Sequence, residues 1–157
     1  MTALHFTAHI EGPCETVFGL IADITHYDRW LPRSRAFGAV TQVSPPPVGP
    51  GTTYIDTGPS GAMQGSITDY DPPARIAFQQ SMPVKLLVFA GSLELHIRYT
   101  LEPVGQATRV SRDVTFQLPG MLKVAQPIIV STVRRESERL LQVMKRTVER
   151  RTEDDNQ

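Results

Sequence analysis

A disulfide inside this chain needs two cysteines, and the sequence has one, Cys14. No cluster of cysteine and histidine has metal-ligand spacing, so a structural or catalytic metal is not expected. Charge of one sign is also missing: Lys and Arg together number 16, Asp and Glu together number 16, and the net charge is zero. A protein that grips nucleic acid mainly through phosphates carries surplus cations, so that class is disfavoured. No stretch approaches the roughly 18 apolar residues that cross a bilayer. The opening "MTALHFTAHIEG" lacks a charged leader and an unbroken apolar core, and is not read as a signal peptide. A reduced, cytoplasmic setting is expected, with no integral membrane span. The glycine-containing stretch 49–65 is followed by neither a Lys-Ser/Thr pair nor a helix, which excludes a phosphate loop. Neither a Ser/His/Asp nor a Cys/His arrangement has support, and no cofactor is implied.

What remains is ordinary in amount, 40% apolar and 20% charged in 157 residues, and specific in order. One domain is expected over residues 1–150, with a frayed polar tail, "RTEDDNQ", at 151–157. From Ala3 the residues alternate, with Leu4, Phe6, Ala8 and Ile10 on one face and His5, Thr7 and His9 on the other, predicting a half-buried strand. Pro13 suits the first turn of a helix and Glu15 complements its dipole. Cys14, Val17, Phe18 and Ile21 fall on one face of that helix. Turn residues then recur at "SPPPVGPG", "TGPSG", "DPPA" and "EPVGQ", and the runs between them read as an antiparallel meander. The strongest strands are 93–101 and 108–118. The last element is a long helix from Pro127 to about residue 150, spanning about 36 Å. Its apolar stripe is Ile129, Val133, Leu140, Met144 and Val148, with Ser137 inside it and Glu136 at its edge.

The stretch "DITHYDRWLP", residues 23–32, concentrates polar and aromatic side chains, including the one tryptophan. Thr25 with Asp28 three residues later has the form of a capping box that would open a second short helix ended by Pro32. Trp30 then reads as an anchor of the helix pair, and the stretch as a clamp before it is a site. His26 and Tyr27 are the residues left to reach a pocket mouth.

Strand, two short helices, five or six antiparallel strands and a long amphipathic helix make an α+β order. One helix cannot cover a curved sheet completely, so a cavity between them is natural. The segments "PCETVFGLIADITHYDRWLP", "GSITDYDPPARIAF" and "YTLEPVGQATRVSRDVTF", with the closing helix, resemble the polyketide cyclase/dehydrase group of the START-like (SRPBCC, Bet v 1-like) superfamily. The resemblance implies the helix-grip fold, a curved antiparallel sheet wrapped around the C-terminal helix. It places Asp23 and Trp30 in the helix pair that supports the sheet. It carries over no catalytic residue, because the matching segments are scaffold.

Arg112 is the sharpest candidate for chemistry. It falls in the apolar register of its strand between Val110 and Val114, and a buried guanidinium needs an acid, water or an anionic ligand. Glu136 and Asp56 are possible partners, and a bulge turning Arg112 to solvent is the bland alternative. Tyr54, Asp56 and Gln64 lie on strands poor in aliphatic residues, which suit either a solvated edge or the polar end of a cavity. Phe78, Leu95, Tyr99, Arg112, Phe116, Ile129, Val133 and Ser137 are expected to line the cavity, Ser137 leaving room where a leucine would fill it. The apolar run "MPVKLLVFAG", residues 82–91, suits a pocket lid, a homodimer contact, a membrane-touching loop or a buried strand.

The expected function is binding of a hydrophobic small molecule of lipid, polyketide or aromatic type. An enzymatic alternative is a polyketide cyclase, aromatase or dehydratase in which Arg112 stabilises an oxyanion and Tyr54 or Asp56 moves protons. A third is a lipid or quinone carrier. No acid–base pair supported from two directions selects catalysis over binding.

Overall fold

The structure, a computed structural model, describes the chain apart from residues 34–37, 59–60, 87–88 and 119 and the side chains of 84–86, 89–90 and 121. Strand β1 (Thr2–Ile10) leads into helix α1 (Cys14–Ala22) and a three-ten helix (Ile24–Arg29). Six strands follow: β2 (Ala39–Thr41), β3 (Thr53–Gly58), β4 (Gly61–Asp71), β5 (Arg75–Leu86), β6 (Phe89–Val104) and β7 (Ala107–Gln117). A second three-ten helix (Gly120–Ala125) runs into the terminal helix α2 (Gln126–Asp155). All strand pairings are antiparallel, in the order β1-β7-β6-β5-β4-β3-β2. Among the described residues this is one curved seven-stranded sheet around a long helix, the helix-grip architecture.

Strands β1 and β2 are consecutive in the chain yet occupy opposite edges of the sheet. The helix pair between them therefore bridges the sheet, and Phe18 of α1 meets Tyr70 of β4 edge-on with ring centroids 5.4 Å apart. Helix α1 forms because Pro13, in an extended conformation just ahead of it, offers its carbonyl to the amides of Thr16 and Val17. Cys14, Val17, Phe18 and Ile21 are buried as their spacing predicts.

The expected capping box does not form. The three-ten helix makes no side-chain cap and breaks at His26, while Asp23 accepts a hydrogen bond from the His26 ring at 2.9 Å. Thr25 lies inside a six-residue three-ten segment that breaks at the next residue, so it does not stand at the N-cap of a helix whose N3 is Asp28. Trp30 is buried and packs edge-on against Tyr27, centroids 5.3 Å apart.

Helix α2 begins at Gln126 with Pro127 in its first turn and continues to Asp155 rather than ending near residue 150. It follows β1 and is held there at both ends. The Gln126 amide donates to the Thr2 hydroxyl at 3.0 Å, and Lys145 donates to the His9 carbonyl at 2.7 Å. Gly12 permits the close approach, since a Cβ there would sit 2.7 Å from Val148 Cγ1. Packing along α2 is uneven. In its C-terminal half Leu141, Met144 and Val148 are 4%, 1% and 0% exposed. In its N-terminal half Ile129 and Val133, on the sheet-facing stripe, are only half-buried. Among the described residues no helix is long and apolar enough to cross a membrane.

Candidate functional site

Residues two apart on a strand share a face, and the sheet's inner face carries a row of aromatic rings. Tyr54 on β3 meets Phe78 on β5 with centroids 6.2 Å apart, and Phe78 meets Tyr99 on β6 at 6.1 Å, both edge-to-face. Tyr54 passes over β4 because its ladder partner there is Gly65, where a Cβ would fall 2.3 Å from the Tyr54 ring. Its hydroxyl then accepts a hydrogen bond from the Gln80 amide at 2.8 Å. Beside these rings Leu95 and Phe116 face each other across β6 and β7, 6% and 2% exposed.

Arg112 ends the row. It pairs in register with Tyr99 on one side and Phe6 on the other, so no bulge turns it outward, and it is 9% exposed. Its Nη1 donates to the Tyr99 hydroxyl, its Nε donates to Ser137 Oγ at 3.1 Å, and Cζ lies 5.1 Å from the Tyr99 ring centre. Neither carboxylate named from the sequence pairs with it. Glu136 holds Arg139 at 3.0 Å, and Asp56 Oδ1 has no hydrogen-bond partner at all. Among the described residues, the Arg112 guanidinium is thus bonded only to neutral hydroxyls. Ser137 is fully buried, and the room its small side chain leaves on α2 is used by this guanidinium.

Tyr27 joins the site from the three-ten helix. Its hydroxyl donates to the Ile21 carbonyl. Enclosure raises its pKa well above the ordinary phenol value, the charges of Tyr99 and Tyr54 add to the rise, and that of Arg112 opposes it. The same mutual influence links Tyr54, whose pKa is raised by burial, to Asp56, Tyr99 and Arg112. Burial likewise raises Tyr99, with Arg112 opposing. At neutral pH the three phenols are uncharged, and Tyr54, Tyr99 and Arg112 lie along the inner face of the sheet. Asp56 is only half-buried as a residue, but loss of solvent around its carboxyl raises the pKa from 3.8 to about 7.

The structure brings together Tyr54, Phe78, Leu95, Tyr99, Arg112, Phe116 and Ser137, with Asp56 beyond Tyr54 on the same face of β3. Val133 and Ile129 sit on α2 about one and two turns before Ser137. Gln64 is not with them: it is exposed on the opposite face of β4. Tyr27 was the underweighted residue; a short broken helix gives no periodicity from which to read its inward face. Within 82–91, the backbones of 82–86 and 89–91 pair as the ends of β5 and β6, Val84 opposite Gly91. The proposed roles of its side chains fall mostly outside the described residues.

One cleft of about 270 Å³ is bounded by Pro13, Cys14, Pro73, Leu101, Pro103 and Ala107. Another, about 490 Å³, runs along Thr53, Ile55, Gln64, Ser66, Gln79 and Ser81 and reaches Tyr54 and Gly65. Neither is lined by Arg112, Tyr99 or Ser137.

Residues 1–149 match the family described as polyketide cyclase / dehydrase and lipid transport. Among curated proteins there is no significant match. Solved structures with the same fold include protein Ms6760 from Mycobacterium smegmatis, 21% identical over 92% of this chain and 89% of that one, TM-score 0.63. Ara h 8.0201 is 16% identical over 94% and 97%, TM-score 0.67. The di-domain ARO/CYC StfQ from the steffimycin biosynthetic pathway is 12% identical over 96% of this chain and 51% of its own, TM-score 0.73.

Proposed function

This chain belongs to the polyketide cyclase / dehydrase and lipid transport family, within the START-like helix-grip superfamily, and on that premise we propose that it binds a hydrophobic small molecule between the sheet and α2. The observation that carries the reading is Arg112. A guanidinium removed from water and, among the described residues, bonded only to the hydroxyls of Tyr99 and Ser137 is under-compensated, because neutral partners return less than a carboxylate does. A ligand carboxylate, enolate or carbonyl supplies the missing partner, and the Tyr54, Phe78, Leu95 and Phe116 side chains supply the apolar wall. The half-buried Ile129 and Val133 support a way in along the N-terminal half of α2.

The test has two parts. Native mass spectrometry of purified protein, followed by denaturing extraction, is expected to release an acyl, aromatic or isoprenoid compound at defined stoichiometry. Titration with dodecanoate is expected to bind wild type and to weaken about tenfold or more in Arg112→Met. Equal affinity in both, with stability unchanged, would show that Arg112 does not orient the ligand.

A catalytic reading has its own support in Asp56. A carboxyl with a pKa near 7 is matched to general acid–base work at neutral pH, and the family description includes cyclase and dehydrase chemistry. There Arg112 would stabilise developing oxyanion charge while Asp56 moves a proton on a folded polyketide-like chain. Turnover of a poly-β-keto thioester by wild type, lost in Asp56→Asn with binding retained, is the result this reading requires.

A further inference from the structure

Asp56 Oδ1 is, among the described side chains, the buried oxygen that finds no hydrogen-bond partner. Buried polar atoms are paired in the great majority of cases, and an exception needs a cause. Among the described residues the surroundings offer no donor. The ladder neighbours of Asp56 are Val40 on β2 and Met63 on β4. The Gln80 amide on the inner face is committed to the Tyr54 hydroxyl. The Thr41 and Thr57 hydroxyls on the flanking strand positions donate to the carbonyls of Ile55 and Ala39.

At the other end of the aromatic row stands Arg112, a cation with no carboxylate partner among the described residues. The two opposite charges do not meet: Tyr54, two residues before Asp56 on the same face of β3, opens the row that runs through Phe78 and Tyr99 to Arg112. Two complementary groups that share one apolar interior and leave each other unpaired describe a ligand with two different polar ends.

We infer that Asp56 is a second ligand anchor, accepting a hydrogen bond from a hydroxyl or phenol at one end of a hydrophobic ligand whose carboxylate, enolate or carbonyl end is held by Arg112. The inference rests on the binding function proposed above and narrows its ligand class to hydroxylated acids and hydroxylated carbonyl compounds. An anionic carboxylate only accepts hydrogen bonds, so a ligand without a donor at that end leaves Asp56 as unsatisfied as it is now. The raised pKa of the carboxyl, about 7, agrees with a group that has lost water and gained no donor from the protein.

The experiment compares dodecanoate with its ω-hydroxy counterpart by calorimetric titration at about pH 8, where Asp56 is ionised. Wild type is expected to prefer the ω-hydroxy acid about tenfold, in line with a hydrogen bond to a charged acceptor. Asp56→Leu is expected to abolish or reverse that preference. Asp56→Asn, which preserves shape and still accepts, is expected to retain only part of it and serves if the leucine variant does not fold. Among shorter and longer ω-hydroxy acids the preference is expected to be greatest at one chain length, because both anchors are fixed to the sheet. Arg112-dependent dodecanoate binding with no preference for the hydroxyl, a preference that survives Asp56→Leu, or one equal at all lengths would overturn this inference and leave the binding function standing. Failure of both acids to bind wild type would overturn the two together.

Discussion

Asp56 costs the folded protein stability, and the cost depends on pH. Its carboxyl is pushed from 3.8 to about 7 by burial alone, so between these values the native state holds a proton that the unfolded chain has released. The sign follows. Below about pH 4 both states are protonated and Asp56 carries no electrostatic penalty. As pH rises toward 7 the penalty grows, and above about 8 it is constant. Asp56→Asn is therefore expected to be near neutral at about pH 4 and stabilising by about 1–2 kcal/mol at about pH 8, a figure reduced from the full shift because the residue keeps solvent contact. Urea midpoints at the two pH values check it, and an equal effect at both would show that the carboxyl is solvated. A residue that weakens the empty fold at working pH is consistent with selection for ligand recognition, which is where local rules of sequence-structure agreement are most often broken.

The elements divide the labour in a way single residues do not reveal. Helix α2 is one continuous helix from Gln126 to Asp155, but its two halves meet different surroundings. The C-terminal half is sealed by Leu141, Met144 and Val148, and the Lys145 bond to the His9 carbonyl holds it to β1. In the N-terminal half Ile129 and Val133 are only half-buried. Met144→Ala is expected to cost about 2–4 kcal/mol, as truncations in sealed cores do. Val133→Ala is expected to cost less than about 1 kcal/mol in the empty protein, since little packing is lost. Chemical denaturation measures both, and equal costs would show that α2 is packed alike along its length. Within the sequence this contrast is invisible. Ile129, Val133, Met144 and Val148 belong to one stripe broken only by Ser137, and periodicity says which side faces inward without saying how closely the partner surface approaches.

At the scale of the molecule, what was legible followed from clean alternation. Leu95, Tyr99, Arg112 and Phe116 sit where period-two reading of β6 and β7 puts them, and Arg112 stands out because one charged residue interrupts an apolar face. Strand β3 was harder, since "TTYIDT" has Tyr54 on one face and Ile55 on the other, so neither is marked as inner. Gln64 was accordingly grouped with Asp56 although it points outward, and the unpaired state of Asp56 depends on neighbours from two other strands that no local pattern names. Those same neighbours make a statement about motion. Local opening follows burial, and regions with few buried apolar contacts open at lower free energy than sealed ones. The interior polar groups are shared between the sheet, the three-ten helix through Tyr27 and α2 through Ser137, so a ligand that bridges them ties the loose half of α2 to the rest. Amide hydrogen exchange is expected to be faster in the first half of α2, before Ser137, than around Met144 in the unliganded protein. Addition of ω-hydroxydodecanoate is expected to slow exchange in that first half and in β3 while leaving the Met144 region unchanged. Uniform protection along α2 without ligand, or a ligand effect confined to the cleft of Gln64 and Gln79, would place the binding surface elsewhere on the sheet.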